Sequence, residues 1–236
     1  MPVKQGICSP QNDRRMKVLV IAPHMDDETL GCGGVMARHK EQGALVCVVF
    51  VAHRVYNHLF DKKRNDIEKS HTVKAKKVIG YHEAIFLDLN DERLDACLQD
   101  IIIPLELEIQ SFMPDMVYVP FWGDNNQDHR AVFDAARVVL RPVAAPFVNN
   151  VFMYEVPSST EQSPPLTENA FLPNYYVCID KHIDRKIKAL RCYETESRSY
   201  PHPRSEEAVR ILAQKRGIET GFCYAEAFMM LRGKWI

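Results

Sequence analysis

Apolar positions along the chain fall into two rhythms. One is a set of short, nearly unbroken runs rich in β-branched residues: Met16 to Ala22, stopped by Pro23, then Ala44–Ala52, Glu83–Leu89, Met116–Phe121, Val151–Val156 and Tyr175–Ile179. Continuous runs of this length suit strands buried on both faces of a parallel sheet. A last run, opened by Tyr224-Ala-Glu-Ala-Phe228, predicts a closing strand. Between the runs lie segments of helical character. Val35–Gln42 is closed by Gly43, and Asp61–Gly80 is lysine-rich and ends in Val-Ile-Gly. Asp91 to about Phe112 contains Pro104, which is expected to kink or divide it. Ala131–Leu140, Ile183–Tyr193 with Asp180 as a cap, and Glu206–Gly217 complete the set. Strands alternating with helices predict one Rossmann-like α/β domain, with a mostly parallel central sheet and helices on both faces. Residues 1–15 are expected to form a flexible N-terminal segment. Pro157–Pro173, without periodicity, reads as a long loop able to cover a substrate.

Composition narrows the class. At 236 residues the chain fits a single domain with a substantial core. A formal net charge of −1 offers no field for nucleic acid or an anionic membrane. No apolar run approaches the roughly 20 residues a bilayer span requires, and residues 1–15 lack the apolar centre of a secretory signal. Seven cysteines, an odd number spread through strand and helix segments, read as small buried hydrophobes in a reducing compartment. The expectation is a cytoplasmic protein without nucleic-acid partners or membrane insertion; a homo-oligomer is compatible with the sequence.

Chemistry concentrates at the ends of two strands. Directly after Pro23 stand His24, Asp26, Asp27 and Glu28. In an open α/β sheet the carboxyl end of a strand is where ligands bind. Neutral imidazole and carboxylate both ligate an ion such as zinc at about 2.0–2.2 Å, and a cation relieves the repulsion among three adjacent acids. The competing reading is helix capping by Asp27 or Glu28, since carboxylates favour a first helical turn. The following Gly31-Cys-Gly-Gly34 lacks the spacing of a nucleotide loop and reads as close helix-to-strand packing. The second cluster, Gly123-Asp-Asn-Asn-Gln-Asp-His129, follows the fourth strand, from which His129 can reach the pocket of His24. His53 to His58, past the second strand, can line a sugar pocket or form an exposed loop.

His24-Met-Asp-Asp-Glu28 closely resembles the His-Pro-Asp-Asp-Glu signature of the LmbE-like, or PIG-L-type, N-acetylglucosaminyl deacetylases, although Pro23 and Met25 depart from its flanking residues. Asn126-Gln-Asp-His129 resembles the second family motif, His-x-Asp-His, with asparagine in place of the leading histidine. The resemblance implies His24, Asp27 and His129 as ligands of Zn2+ or another divalent transition metal, and Asp26 as the catalytic base. Asp128 would tune His129 or the local polar network. Asn126 can donate an amide hydrogen bond to an oxyanion but cannot exchange a proton near neutrality. Asp88 and Asp91 are candidate substrate contacts by the same likeness. His202 and Arg204 are further candidates, and Glu226 could orient a ligand or a loop. The implied substrate is a small N-acetylated amino sugar or conjugate, hydrolysed to acetate and free amine. Two readings compete: a non-catalytic metal-containing sugar- or nucleotide-binding module, and an amidase for another N-acyl amine.

Overall fold

The computed structural model describes residues 15–235; residues 1–14, most of the expected flexible segment, and residue 236 lie outside it. The strands are β1 (Lys17–Ala22), β2 (Leu45–His53), β3 (Val55–Tyr56), β4 (Leu59–Phe60), β5 (Glu83–Asn90), β6 (Met116–Pro120), β7 (Asn150–Tyr154), β8 (Tyr175–Cys178) and β9 (Ala225–Gly233). The helices are α1 (Asp27–Glu41), α2 (Lys62–Ile79), α3 (Leu98–Phe112), α4 (Gln127–Val139), α5 (Ile183–Leu190) and α6 (Glu206–Ile218). Seven strands form one sheet in the order β5-β2-β1-β6-β7-β9-β8. The five from β5 to β7 are parallel, and β9 runs antiparallel to both its neighbours. The expected mostly parallel α/β sheet is thus present.

Successive residues of β1 serve opposite faces. Val18 and Val20 pack with Phe50, Met36 of α1, Ile79 of α2, Ile187 of α5 and Val209 of α6. Leu19 and Ile21 pack with Val49, with Ile101, Leu105 and Ile109 of α3, and with Val132 and Ala136 of α4. This double burial is why β1 reads as an unbroken apolar run. Chain order reverses between β1 and β6, the switch point at which α/β sheets open a crevice.

Three helix starts and one cap differ from expectation, α4 beginning at Gln127 rather than Ala131. Helix α1 begins at Asp27 rather than Val35, so the acidic motif is its first turn. Helix α3 begins only at Leu98, and Pro104 lies inside it without dividing it. Ile101, Leu105 and Ile109 recur on one buried face and hold the helix together across the missing N–H. Asp180 does not cap α5; its Oδ1 accepts from Tyr224 N at 2.7 Å, tying β9 to the loop after β8.

Beneath the sheet, His39 Nε2 lies 2.9 Å from Tyr118 Oη. Burial, with Arg38 nearby, lowers the His39 pKa to about 4. The unfolded chain therefore takes up a proton there below its ordinary pKa of about 6.5, while the folded chain does not. Stability from this group is complete above pH 6.5 and is lost as pH falls toward 4. At about 1.4 kcal/mol per pKa unit, the loss is on the order of 2–4 kcal/mol. Urea melts of the wild type and His39→Gln between pH 7 and 4 should converge as pH falls; parallel curves would reject the assignment.

Candidate metal centre

The switch point sets two motifs side by side. β1 ends at Ala22, and Pro23-His24-Met25-Asp26 turns the chain into α1. β6 ends at Pro120, and residues 121–126 lead into α4, whose first turn carries His129. His24, Asp26, Asp27, Asp124, Asp128 and His129 are all buried. Asp26 occupies the N-cap position of α1 at φ 125° but makes no side-chain cap bond, so capping does not account for this carboxylate. A non-glycine residue held at such a φ stores on the order of 1–3 kcal/mol of strain, which the surrounding contacts must offset.

Three donors converge. His24 Nδ1 lies 3.3 Å and His129 Nε2 3.2 Å from Asp27 Oδ2. Such separations match the edge of a tetrahedron whose arms are zinc–ligand bonds of about 2.0–2.1 Å. Asp27 Oδ1 is buried without a hydrogen-bond partner. Each imidazole is also turned the way a ligand must be. His24 Nε2 lies 2.9 Å from Asp91 Oδ1 and 3.2 Å from Asp128 Oδ2, so its proton belongs there and Nδ1 offers a lone pair. His129 Nδ1 faces Asp124 Oδ1 at 3.4 Å, leaving Nε2 free. A carboxylate behind each ligating histidine is the usual support of a metal site.

His24, Asp91 and Asp128 also converge, but the two acids are committed to backbone. Asp128 accepts from Glu92 N (2.7 Å) and Leu94 N (3.1 Å), and Asp91 from Val55 N (3.1 Å) and Glu92 N (3.0 Å). They orient His24; Asp27 Oδ2 likewise accepts from His24 N at 2.9 Å, but Asp27 keeps its other oxygen, Oδ1, without a partner, so the set containing Asp27 fits an ion better.

Charge follows the same logic. Burial, the largest influence, favours neutral His24, yet Asp128, Asp27 and Asp91 together raise its pKa well above the ordinary value. His129 is likewise held at about 9, its burial outweighed by Asp27 and Asp124. Asp27, despite burial, is kept well below the carboxylate range by His129 and His24. Protons on two imidazoles thus play the part a divalent cation would take, and binding such an ion releases them.

Asp26 is set apart from the donors. Burial pushes its pKa up to about 6 against the pull of Arg204, with Asp27 adding to the rise. Oδ2 accepts from Arg204 Nη1 at 2.9 Å, whereas Oδ1 is buried without a partner. Arg204 also donates to Ser158 Oγ (2.6 Å) and Glu196 Oε2 (3.1 Å), and Glu196 Oε1 meets Arg54 Nη2 at 2.8 Å. Glu28 accepts from Tyr193 Oη at 2.6 Å and from Asp26 N at 3.2 Å, fixing the strained residue from behind. Burial raises the Glu28 pKa to about 7, and its bonds to Thr29 and Tyr193 oppose the rise.

The remaining sequence candidates divide. Asn126 caps α4, its Oδ1 accepting from Asp128 N at 2.8 Å, which leaves only its amide N–H2 for a ligand. Asp128 serves His24 rather than His129, whose carboxylate partner is Asp124. Asp124 sits in the second motif, but nothing in the sequence separates it from its polar neighbours. The 157–173 segment supports Asp124 through Ser159 Oγ and Thr160 Oγ1. Asp91 reaches His24, while Asp88 is exposed and pairs with Lys69. His202 Nδ1 accepts from Arg204 N at 3.1 Å. Glu226 lies within the fold against α1 and Lys186.

Among curated proteins, the chain is 29% identical over 189 residues to the uncharacterized deacetylase YaiS of Escherichia coli, covering 78% of this chain and 93% of that one. Among solved structures it resembles the N,N'-diacetylchitobiose deacetylase of Pyrococcus horikoshii (TM-score 0.69, 20% identity, 92% of this chain and 84% of that). It also resembles the 4-carboxy-2-hydroxymuconate hydratase of Pseudomonas putida (TM-score 0.74, 20% identity, 94% and 98%). One fold therefore carries a deacetylase and a hydratase, and does not itself choose the reaction. No described helix is long and apolar enough to cross a membrane. Residues 19–140, more than half of the chain, match the family model described as GlcNAc-PI de-N-acetylase, and the protein belongs to this PIG-L family of deacetylases.

Proposed function

We propose that the chain hydrolyses the acetamide of an N-acetylated amino sugar or its conjugate, releasing acetate and the free amine, with a divalent ion, zinc foremost, held by His24, Asp27 and His129. The observation that carries this is the pairing of a three-donor set with an adjacent carboxylate outside it, Asp26, one of whose oxygens is fixed by Arg204 while the other is buried and unpartnered. A purely structural metal site has no use for such an acid.

When bound, the ion would polarise the acetamide carbonyl and lower the pKa of water in the site. Asp26 Oδ1 takes a proton from the attacking water and returns it to the departing nitrogen, the two halves of general acid–base catalysis. Asp91 and Asp128 keep His24, and Asp124 keeps His129, in the tautomer that presents a lone pair. Asn126, held as the α4 cap, retains an amide N–H for the developing oxyanion.

Acetate release from a panel of N-acetylated amino sugars by metal-loaded protein tests the reaction; silence across the panel rejects it. Separately, His24→Ala, Asp27→Ala and His129→Ala should each fall from about one bound ion per chain toward none by elemental analysis. Full retention in all three would remove the proposed site.

A further inference from the structure

The chain leaving β7 touches both halves of the site with three consecutive hydroxyls, those of Ser158, Ser159 and Thr160. β7 ends at Tyr154; Ser158 then takes a left-handed backbone at φ 72°, and its N–H donates to Glu161 Oε1 at 2.7 Å. A single turn of 3₁₀ helix follows at Thr160–Gln162. Ser163 Oγ donates to Gly123 O at 2.5 Å, fastening the segment to the second motif. A serine at positive φ is a cost that its surroundings must offset, and such residues gather at functional sites. Here the turn at Ser158 sends neighbouring side chains to two different partners.

Ser159 and Thr160 serve Asp124, and all three are buried. Ser159 Oγ donates to Asp124 Oδ1, and Thr160 Oγ1 donates to Oδ2 at 2.6 Å. Thr160 Oγ1 in turn accepts from Val156 N at 2.8 Å, which leaves its single hydrogen for the carboxylate. Asp124 Oδ1 also accepts from Asn126 N at 2.9 Å and faces His129 Nδ1 at 3.4 Å. Without the two hydroxyls, a buried carboxylate is left with one backbone N–H besides the imidazole, too little to fix its plane. It can then turn away from His129.

Ser158 serves Asp26, through Arg204. Its Oγ accepts from Arg204 Nε at 2.6 Å, while Arg204 Nη1 is shared between Asp26 Oδ2 (2.9 Å) and Glu196 Oε2 (3.1 Å). One shared nitrogen does not fix the plane of a guanidinium; a second bond at Nε does. That plane decides which Asp26 oxygen is covered, and it leaves Oδ1 without a partner. We infer that residues 158–160 are a positioning element with two separable tasks: Ser158 aims Asp26 through Arg204, and Ser159 with Thr160 holds the His129 imidazole in its ligating orientation through Asp124. The first task rests on the deacetylase reading, whereas the second requires only the metal site.

Ser158→Gly removes one hydroxyl and accepts the positive φ; Ser159→Ala with Thr160→Val removes the other two. Zinc affinity is read by chelator competition, and kcat and KM on the N-acetylated sugars that release acetate. The double variant should bind zinc about 10–100-fold more weakly, the usual cost of lost support behind a ligand, and excess zinc should restore its turnover. Ser158→Gly should bind zinc as the wild type does and keep KM, but lose about 10-fold in kcat, within the up to ~100-fold cost of a misplaced group. Excess zinc should not restore it. Exchange of the Arg204 Nε–H with water, followed by NMR, should be faster in Ser158→Gly, a reading independent of turnover. Ser159 with Thr160→Ser, which keeps both hydroxyls, should retain the zinc affinity. Should the double variant fail to fold, Ser159→Ala alone must show a smaller loss of zinc. If no sugar releases acetate but zinc affinity and Nε–H exchange respond as stated, the reaction is wrong and the positioning element stands. If acetate is released while the double variant keeps wild-type zinc affinity, or Ser158→Gly keeps wild-type kcat and Nε–H exchange, the inference is overturned and the deacetylase stands.

Discussion

Asp26→Asn is expected to retain close to the wild-type metal content and lose activity by roughly 10²–10⁴-fold, the range for a removed general base. The backbone should accept the change, because asparagine tolerates positive φ better than most residues and Asp26 sits at φ 125°. Arg204 keeps Glu196 and Ser158 as partners when the Asp26 charge is gone. Asp27→Asn should behave in the opposite way. It removes one carboxylate charge from the donor set shared by His24 and His129, so metal falls and added zinc partly restores turnover. If the two acids served only the start of α1, each change would lower stability by about 0.5–2 kcal/mol and leave metal and turnover alone. Elemental analysis, thermal melts and kinetics on the pair separate these outcomes, and wild-type turnover by Asp26→Asn would rule out the proposed mechanism.

The parts legible in the sequence are those that short-range pattern controls. β1, β2, β6 and β7 show themselves because both their faces are buried, whereas the edge strand β5 is only half-buried; α2 is bracketed by signals the structure uses: Asp61 Oδ1 accepts from Arg64 N, and Gly80 ends the helix in the left-handed region. The convergence of His24, Asp27 and His129 is legible because motifs at neighbouring strand ends must meet at the switch point. The start of α1 is not. Its first turns hold acids and glycines rather than an apolar stripe, since Gly31 and Gly34 press against Tyr154 and Ile179 where a Cβ would sit at 2.3 and 2.8 Å. Nor is the division of labour among carboxylates legible. Asp124, Asp91, Glu196 and Glu28 acquire Ser159, Val55, Arg54 and Tyr193 as partners only when segments 35 to 165 residues apart are packed together. The hairpin of β3 and β4 is not legible either, its two-residue strands being too short to show a period.

The largest expected effect on stability lies at Glu226, which sequence left as a candidate for orienting a ligand or loop. Its carboxylate enters the middle of α1: Oε1 accepts from Gly34 N at 2.8 Å and Oε2 from Val35 N at 2.7 Å. Lys186 Nζ donates to the same Oε1 and to Leu30 O, each at 2.7 Å. Leu30 O and Gly34 N are groups that a helical ladder ordinarily pairs with each other; here a buried ion pair reaches both. Gly33 makes room for it, since a Cβ there would meet Lys186 Cγ at 3.0 Å. Glu226→Ala would strand a buried ammonium and remove the acceptor of two backbone N–H groups, a loss expected at about 3–5 kcal/mol. Lys186→Met should be less damaging, because Glu226 keeps both N–H donors. In Lys186→Met with Glu226→Ala no charge is left unpaired, so the double variant should lose less than the sum of the single changes. Denaturant unfolding of the three variants and the wild type gives the cycle. A Glu226→Ala loss below about 1 kcal/mol, or strict additivity, would show that the pair does not hold α1, and with it the turn carrying Asp26 and Asp27, in place.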